Sequence, residues 1–203
     1  MSGTKVKLCG MSRMADIEAV NELKPDYIGF VFFERSSRNV SPELAAALKA
    51  ALDPQILAAG VFVDAAPEFV ADLMNRGVID IAQLHGHEDD TYIAALRMLT
   101  KGTIVQAFKV RTAENSARAE HSAADCILLD SGAGSGECFD WSLVKDVKRP
   151  FFLAGGLTPD NVQAAIAQIH PYAVDVSSGI ETDRVKDRDK MRAFVENVRS
   201  AGA

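Results

Sequence analysis

An alternation repeated eight times constrains this chain more than any other feature: a short run rich in Val, Ile, Leu and Phe, then a longer stretch with helical spacing. The apolar runs, at 6–9, 27–32, 57–63, 79–84, 104–108, 126–130, 151–154 and 173–176, predict strands. The stretches between them predict helices near 14–23, 42–51, 67–76, 89–99, 113–121, 141–148, 159–168 and 187–199. Continuously apolar strands are what a parallel sheet covered on both faces requires. Ser41-Pro42, Ala66-Pro67 and Thr158-Pro159 place proline at a first helical position, twice behind a capping hydroxyl. Ile17, Val20 and Leu23, and again Phe194, Val195 and Val198, form apolar stripes at helical spacing.

Two architectures fit such a pattern, a closed barrel and an open doubly wound sheet. Eight βα units in 203 residues leave little room for a linker or a second domain. The first strand-turn-helix segment, Cys9-Gly10-Met11-Ser12-Arg13, lacks the G-x-G-x-x-G of a dinucleotide fold. The expectation is therefore an α/β protein, a single (β/α)8 TIM barrel over residues 1–203, although about 250 residues is more usual for that fold.

Charge narrows the partners. A formal net charge of −6 argues against a nucleic-acid binder that works by neutralising phosphates. An anionic ligand must then be held by a local feature, such as backbone N–H groups at turns and helix starts. The longest apolar stretch, 56–63, is far short of the roughly 20 residues that span a bilayer. The first residues carry no apolar run of signal-peptide length, and Cys9, Cys126 and Cys138 show no C-x-x-C spacing. These features predict reduced thiols, a cytoplasmic location and no membrane partner. Monomer and homodimer both stay open.

In a barrel, chemistry sits at the C-terminal ends of the strands. Cys9 closes the first strand, Arg38 lies in the loop after the second, and Asp64 follows the third. Gln83 and His85 flank the end of the fourth, Asp130 ends the sixth, Gly155-Gly156 follows the seventh, and Asp175 to Gly179 ends the eighth. Each has an ordinary explanation: a free Cys is commonly a small buried hydrophobe, His85 a loop anchor, Asp130 a turn-former, Arg38 a solvated charge. Together they put a thiol, a carboxylate, a guanidinium and two glycine-containing turns on one rim. Loops after strands 7 and 8 form the frequent phosphate site of this fold, so Gly155, Gly156, Ser178 and Gly179 are the expected phosphate binders. Cys9 and Asp130 are a candidate proton acceptor and donor, provided their pKa values are tuned.

Lys7-Leu8-Cys9-Gly10, Gly29-Phe30-Val31-Phe32 leading to Ser37-Arg38-Asn39-Val40-Ser41-Pro42, Gly60-Val61-Phe62-Val63 and Gln83-Leu84-His85-Gly86 resemble the phosphoribosylanthranilate isomerase family. So do Leu129-Asp130-Ser131, Phe139-Asp140-Trp141, Leu153-Ala154-Gly155-Gly156-Leu157 and Asp175-Val176-Ser177-Ser178-Gly179-Ile180-Glu181, in order over nearly the whole chain. The resemblance implies a cofactor-free Amadori rearrangement in tryptophan biosynthesis, with no metal. By that resemblance Asp130 is the general acid that opens the ribose ring and Cys9 the base that removes the C2 proton. Arg38 pairs with the anthranilate carboxylate, Asp175 holds a ribose hydroxyl, and His85 has a supporting place. Two positions depart from the family pattern: Glu137 stands where a lysine is common, and Arg184 where a glycine is usual. The rivals are another phosphosugar isomerase or epimerase, indole-glycerol-phosphate synthase, or a phosphate-binding barrel without catalysis. An epimerase would need paired acids and usually a metal, the synthase further carboxylates, a lysine and a longer N-terminus.

Overall fold

The computed structural model describes residues 3–130, 141–144 and 147–201. Eight strands close into one barrel: β1 (Lys5–Cys9), β2 (Tyr27–Phe32), β3 (Leu57–Phe62), β4 (Ile81–Leu84), β5 (Thr103–Lys109), β6 (Cys126–Asp130), β7 (Phe151–Ala154) and β8 (Ala173–Val176). Every neighbouring pair is parallel, and β8 returns to β1 with Asp175 in register with Lys7. The doubly wound alternative is thereby excluded. Helices α1 (Met14–Leu23), α2 (Pro42–Ala51), α3 (Pro67–Asn75), α4 (Asp90–Leu99), α5 (Ala113–Glu120), α6 (Val162–Ile169) and α7 (Arg188–Ala201) connect or follow the strands.

Alternation along each strand divides the core. Outward side chains such as Leu8, Ile28, Phe30 and Phe62 pack with helix residues including Val20, Leu48 and Phe194. Inward ones, Tyr27, Ala59, Ile81, Val105, Leu128, Phe152 and Ala173 among them, fill the barrel. Cys9, Val31 and Val61 form a separate small group nearer the mouth. Burying apolar surface at about 25 cal/mol per Å² on both faces of every strand is what makes the continuous apolar runs necessary.

Helix starts follow the predicted caps in part. Ser41 Oγ accepts from Leu44 N–H at 3.2 Å, with Pro42 in the first turn. Asp89 Oδ1 accepts from Tyr92 N–H at 2.9 Å, which makes it the cap rather than the first residue of α4. Behind Thr158-Pro159 the helix begins three residues late, at Val162. There Asn161 Oδ1 takes the Thr158 N–H at 2.8 Å, and the Asn161 and Val162 N–H groups both return to Thr158 O, so a capped turn precedes the helix. Strand β4 starts at Ile81 because the Val78 and Ile79 N–H groups are used on Leu73 O at the end of α3. Of the helix expected over 141–148, the described residues show a 3-10 turn, Trp141–Leu143, whose Leu143 carbonyl accepts from Ser116 Oγ at 2.6 Å.

After β8 the chain makes a 3-10 turn, Ser178–Ile180, and a small antiparallel hairpin of β9 (Glu181–Thr182) and β10 (Val185–Lys186) that the sequence did not announce. Its two turn residues, Asp183 and Arg184, both have positive φ, 50° and 65°. Arg184 thus occupies a left-handed position that glycine adopts without strain. Among the described residues no helix is long and apolar enough to cross a membrane.

Candidate active site

A cavity of about 320 Å³ opens at the C-terminal ends of the strands. Seven of the nine expected site residues line it: Cys9, His85, Asp130, Gly155, Gly156, Asp175 and Ser178. Arg38 and Gly179 stand just outside that lining. Glu137 and Cys138 fall outside the described residues.

The thiol side is built on β1, β8 and the hairpin. Cys9 points inward at the end of β1 and is 8% exposed. Its neighbour in register is Gly29, where a methyl group would come within 2.5 Å of Cys9 Sγ. Two residues earlier on the same face lies Lys7, 2% exposed, whose Nζ donates to Asp175 Oδ2 at 2.8 Å. Burial works against the Lys7 ammonium, but Asp175 and Cys9 outweigh it and hold its pKa above the usual lysine value. Burial pushes the Cys9 thiol up and Asp175 adds to this, while Lys7 and Lys186 pull it down; the net direction is up. Asp175 Oδ1 is buried and has no hydrogen-bond partner among the described residues.

Around this centre, Lys186 donates to Ser177 O at 2.9 Å and to Glu181 Oε1 at 2.7 Å. Arg38 forks onto Glu181, with Nε to Oε1 and Nη2 to Oε2 both at 2.6 Å. Burial raises the Glu181 pKa, but the hydrogen bonds from Arg38 and Lys186 win and hold it below the ordinary carboxylate value. Ser177 Oγ donates to the Cys9 carbonyl at 3.2 Å, tying β1 to the loop after β8.

The carboxylate side is built on β4, β5 and β6. His85 Nε2 lies 3.2 Å from Asp130 Oδ2, and its Nδ1 lies 3.1 Å from Gln83 Nε2. A neutral imidazole that accepts from Gln83 at Nδ1 carries its proton on Nε2 and donates it to Asp130. The His85 segment is held from behind: buried Glu88 accepts from the Asp64 and Gly86 N–H groups at 2.7 Å each, joining the loops after β3 and β4. Lys109, in register with Asp130 on β5, also lines the cavity.

The third wall is backbone. Gly155 and Gly156 take φ of 92° and 65°, turning the chain sharply after β7 so that main-chain groups face the cavity. Gly179 has no room for a side chain, since a Cβ would fall 2.0 Å from Leu157 O, so the loops after β7 and β8 lie in direct contact. Such paired turns present N–H groups that suit an anion such as phosphate. Among the described residues no group of three or more His, Cys, Asp or Glu could hold a metal ion.

Sequence reasoning passed over Lys7, Lys109, Ser177, Glu181 and Lys186 as site residues. Lys7 carried a usable signal: a single cation inside a strand buried on both faces must have a buried anion beside it. Glu181 and Lys186 meet through a hairpin that apolar periodicity does not mark.

The N-(5'phosphoribosyl)anthranilate (PRA) isomerase family profile matches residues 6–197. The N-(5'-phosphoribosyl)anthranilate isomerase of Clostridium kluyveri is 44% identical over 199 residues, 97% of this chain and 98% of its own. That of Endomicrobium trichonymphae is 41% identical over 201 residues, 97% and 98% of the two chains. The crystal structure of the Thermotoga maritima phosphoribosyl anthranilate isomerase superposes with a TM-score of 0.89 at 35% identity, covering 97% of this chain and 99% of that one. A phosphoribosyl anthranilate isomerase crystallised with reduced 1-(o-carboxyphenylamino)-1-deoxyribulose 5-phosphate gives 0.87 at 34% identity, with the same coverage. With the barrel, the cavity and matches of this extent, the chain belongs to the N-(5'-phosphoribosyl)anthranilate isomerase family.

Proposed function

We propose that this cavity converts N-(5'-phosphoribosyl)anthranilate into 1-(2-carboxyphenylamino)-1-deoxyribulose 5-phosphate, a step of tryptophan biosynthesis, by acid–base chemistry alone and with the barrel as one catalytic unit. The observation that carries the reading is that Cys9 and Asp130, from opposite parts of the barrel, line one cavity together with the Gly155-Gly156 turn. Asp130 gives its proton to the ring oxygen, and the C1–O bond breaks to leave a protonated Schiff base. Cys9 then takes the C2 proton, and the electron pair flows to the iminium nitrogen. The resulting enolamine tautomerises to the ketone, so the product is an isomer and no co-reactant is consumed. After proton transfer the Asp130 carboxylate is held by the His85 N–H.

The remaining roles are binding. The backbone at Gly155, Gly156, Ser178 and Gly179 takes the phosphate, aided by the contact between the two loops. Asp175 Oδ1, buried without a protein partner, accepts from a ribose hydroxyl and so escapes the cost of an unsatisfied buried acceptor. Arg38 pairs with the anthranilate carboxylate, for which its planar fork is suited, and the substrate shares or displaces Glu181 to reach it. In this reading the ligand is a small phosphorylated anion, the location is cytoplasmic, and monomer and homodimer serve equally, since every proposed group comes from one chain.

The test is the decay of phosphoribosylanthranilate fluorescence with purified protein and with Cys9→Ala and Asp130→Asn. Turnover in the parent that collapses in both variants is the expected result. A folded parent that leaves the fluorescence unchanged overturns the isomerase reading and points to a phosphate-binding barrel without catalysis.

A further inference from the structure

We propose that Lys7 is a positioning residue for this reaction: held by Asp175 on the adjoining strand, its ammonium stands under Cys9 and stabilises the thiolate that takes the substrate proton. The inference rests on Cys9 being the base, as set out above, and adds the group that makes an anionic sulfur tolerable there.

The geometry carries it in three steps. First, Lys7 and Cys9 are i and i+2 on β1, so both side chains project to the inner face, one layer apart. Second, an ammonium has three donors, and the acceptor shown for Lys7 among the described residues is Asp175 Oδ2. A sulfur anion one layer above gives a second donor a partner.

Third, the charges around Cys9 do not balance without it. Lys7 comes from β1, Asp175 from β8, Glu181 from β9, Lys186 from β10 and Arg38 from the loop after β2; His85, Lys109 and Asp130 line the same cavity. Lys7 pairs with Asp175 while Lys186 and Arg38 share Glu181; counting both groups, three cations face two carboxylates, which leaves one positive charge near the thiol. Lys186 and Arg38 are both drawn onto Glu181, and Lys186 also donates to Ser177 O. Lys7 is the one of the three that shares a strand face with Cys9, and one of its three donors is shown in use. A burial this deep without such compensation would make a thiolate at Cys9 very costly.

The experiment follows the pH dependence of Cys9 alkylation by iodoacetamide, read by peptide mass spectrometry so that Cys126 and Cys138 are counted apart. Lys7→Met keeps length and removes charge; Lys7→Arg keeps charge. Lys7→Met is expected to raise the alkylation midpoint by about one pH unit or more, the usual effect of an opposite charge at close range. Lys7→Arg is expected to stay nearer the parent. The acid limb of kcat should move with the alkylation midpoint, and KM should change less. A Lys7→Met protein whose midpoint coincides with the parent overturns the proposal. If Lys7→Met does not fold because Asp175 is left unpaired, the double variant Lys7→Met/Asp175→Asn removes both charges together. Its midpoint is still expected above the parent, since Lys7 shares the inner face of β1 with Cys9 whereas Asp175 comes from β8, and one at or below the parent overturns the proposal. Full activity of Cys9→Ser would sink the assignment of the base while leaving the alkylation result to stand by itself, so the two failures are distinguishable.

Discussion

The two sides of the cavity are built on different physics. Around Asp130 the described support includes an imidazole, a buried amide behind it and loops stapled by Glu88, with the His85 and Asp130 side chains each about one-fifth exposed. Around Cys9 the support is ionic and buried, in the Lys7–Asp175 pair and the Lys186–Glu181–Arg38 chain. A proton donor at the mouth needs only a modest partner for the anion it becomes. A thiol sunk at the strand end needs fixed cations, because at 8% exposure little water reaches it to solvate the thiolate. The difference teaches that an acid and a base set in one cavity need not be tuned by the same means.

Removing the reacting groups should break both sides at once. Asp130→Asn and Cys9→Ala are each expected to lower kcat by about 10² to 10⁴, the range of general acid–base contributions, as read from the fluorescence decay. Next in size are perturbations that tell the sides apart. His85→Ala and Gln83→Leu are expected to cost roughly tenfold in kcat, about 1.4 kcal/mol, and His85→Ala to cost little stability, because His85 is partly open to solvent while Gln83 is buried. Gly29→Ala should instead act on the buried side. The added methyl meets Cys9 Sγ at 2.5 Å, so urea unfolding should show a loss of about 1–3 kcal/mol together with a fall in kcat. Equal stability in Gly29→Ala and the parent would mean that the thiol side is not tightly packed.

The pH dependence sharpens the same comparison. Burial holds the free Cys9 thiol above its ordinary pKa, so kcat/KM is expected to rise with pH through a midpoint above the usual thiol value. A plateau already reached at neutral pH would contradict it. Glu181 titrates in the other direction: its folded pKa is depressed, so its contribution to stability is fully present above the unfolded value near 4.5. That contribution is lost as pH falls through the folded value. Denaturant unfolding of Glu181→Gln should accordingly show a shallower acid decline than the parent. The smallest effect is expected at Arg184→Gly, which relieves a left-handed residue in the hairpin turn and should raise stability by less than about 1 kcal/mol, with kcat unchanged.

The barrel was legible because its eight apolar runs are long enough to declare themselves, and strand ends in this fold are where side chains converge. That logic brought Cys9, Asp130, His85 and Asp175 to one cavity from four separate strand ends. It failed where local hydrogen bonds compete with periodicity, as at Asn161, which delays α6, and at Ser116, which takes the Leu143 carbonyl. It also placed Arg38 at the rim without foreseeing Glu181, since the partner lies 143 positions away and pairing at that range leaves no local trace. Lys7 was visible as an anomaly within an apolar strand, but its meaning depends on which strand closes the barrel.

That closure has a consequence for how the protein comes into being. The Lys7–Asp175 pair sits on the seam where the first strand meets the last. While a ribosome is still making the chain, the ammonium has no carboxylate to meet and stays in water, and the sulfur two residues on has no floor. The Asp130 side, drawn from consecutive strands, can assemble before β8 exists. The base side can form only when the final strand docks, so a nascent or truncated chain would hold an acid long before it held a base.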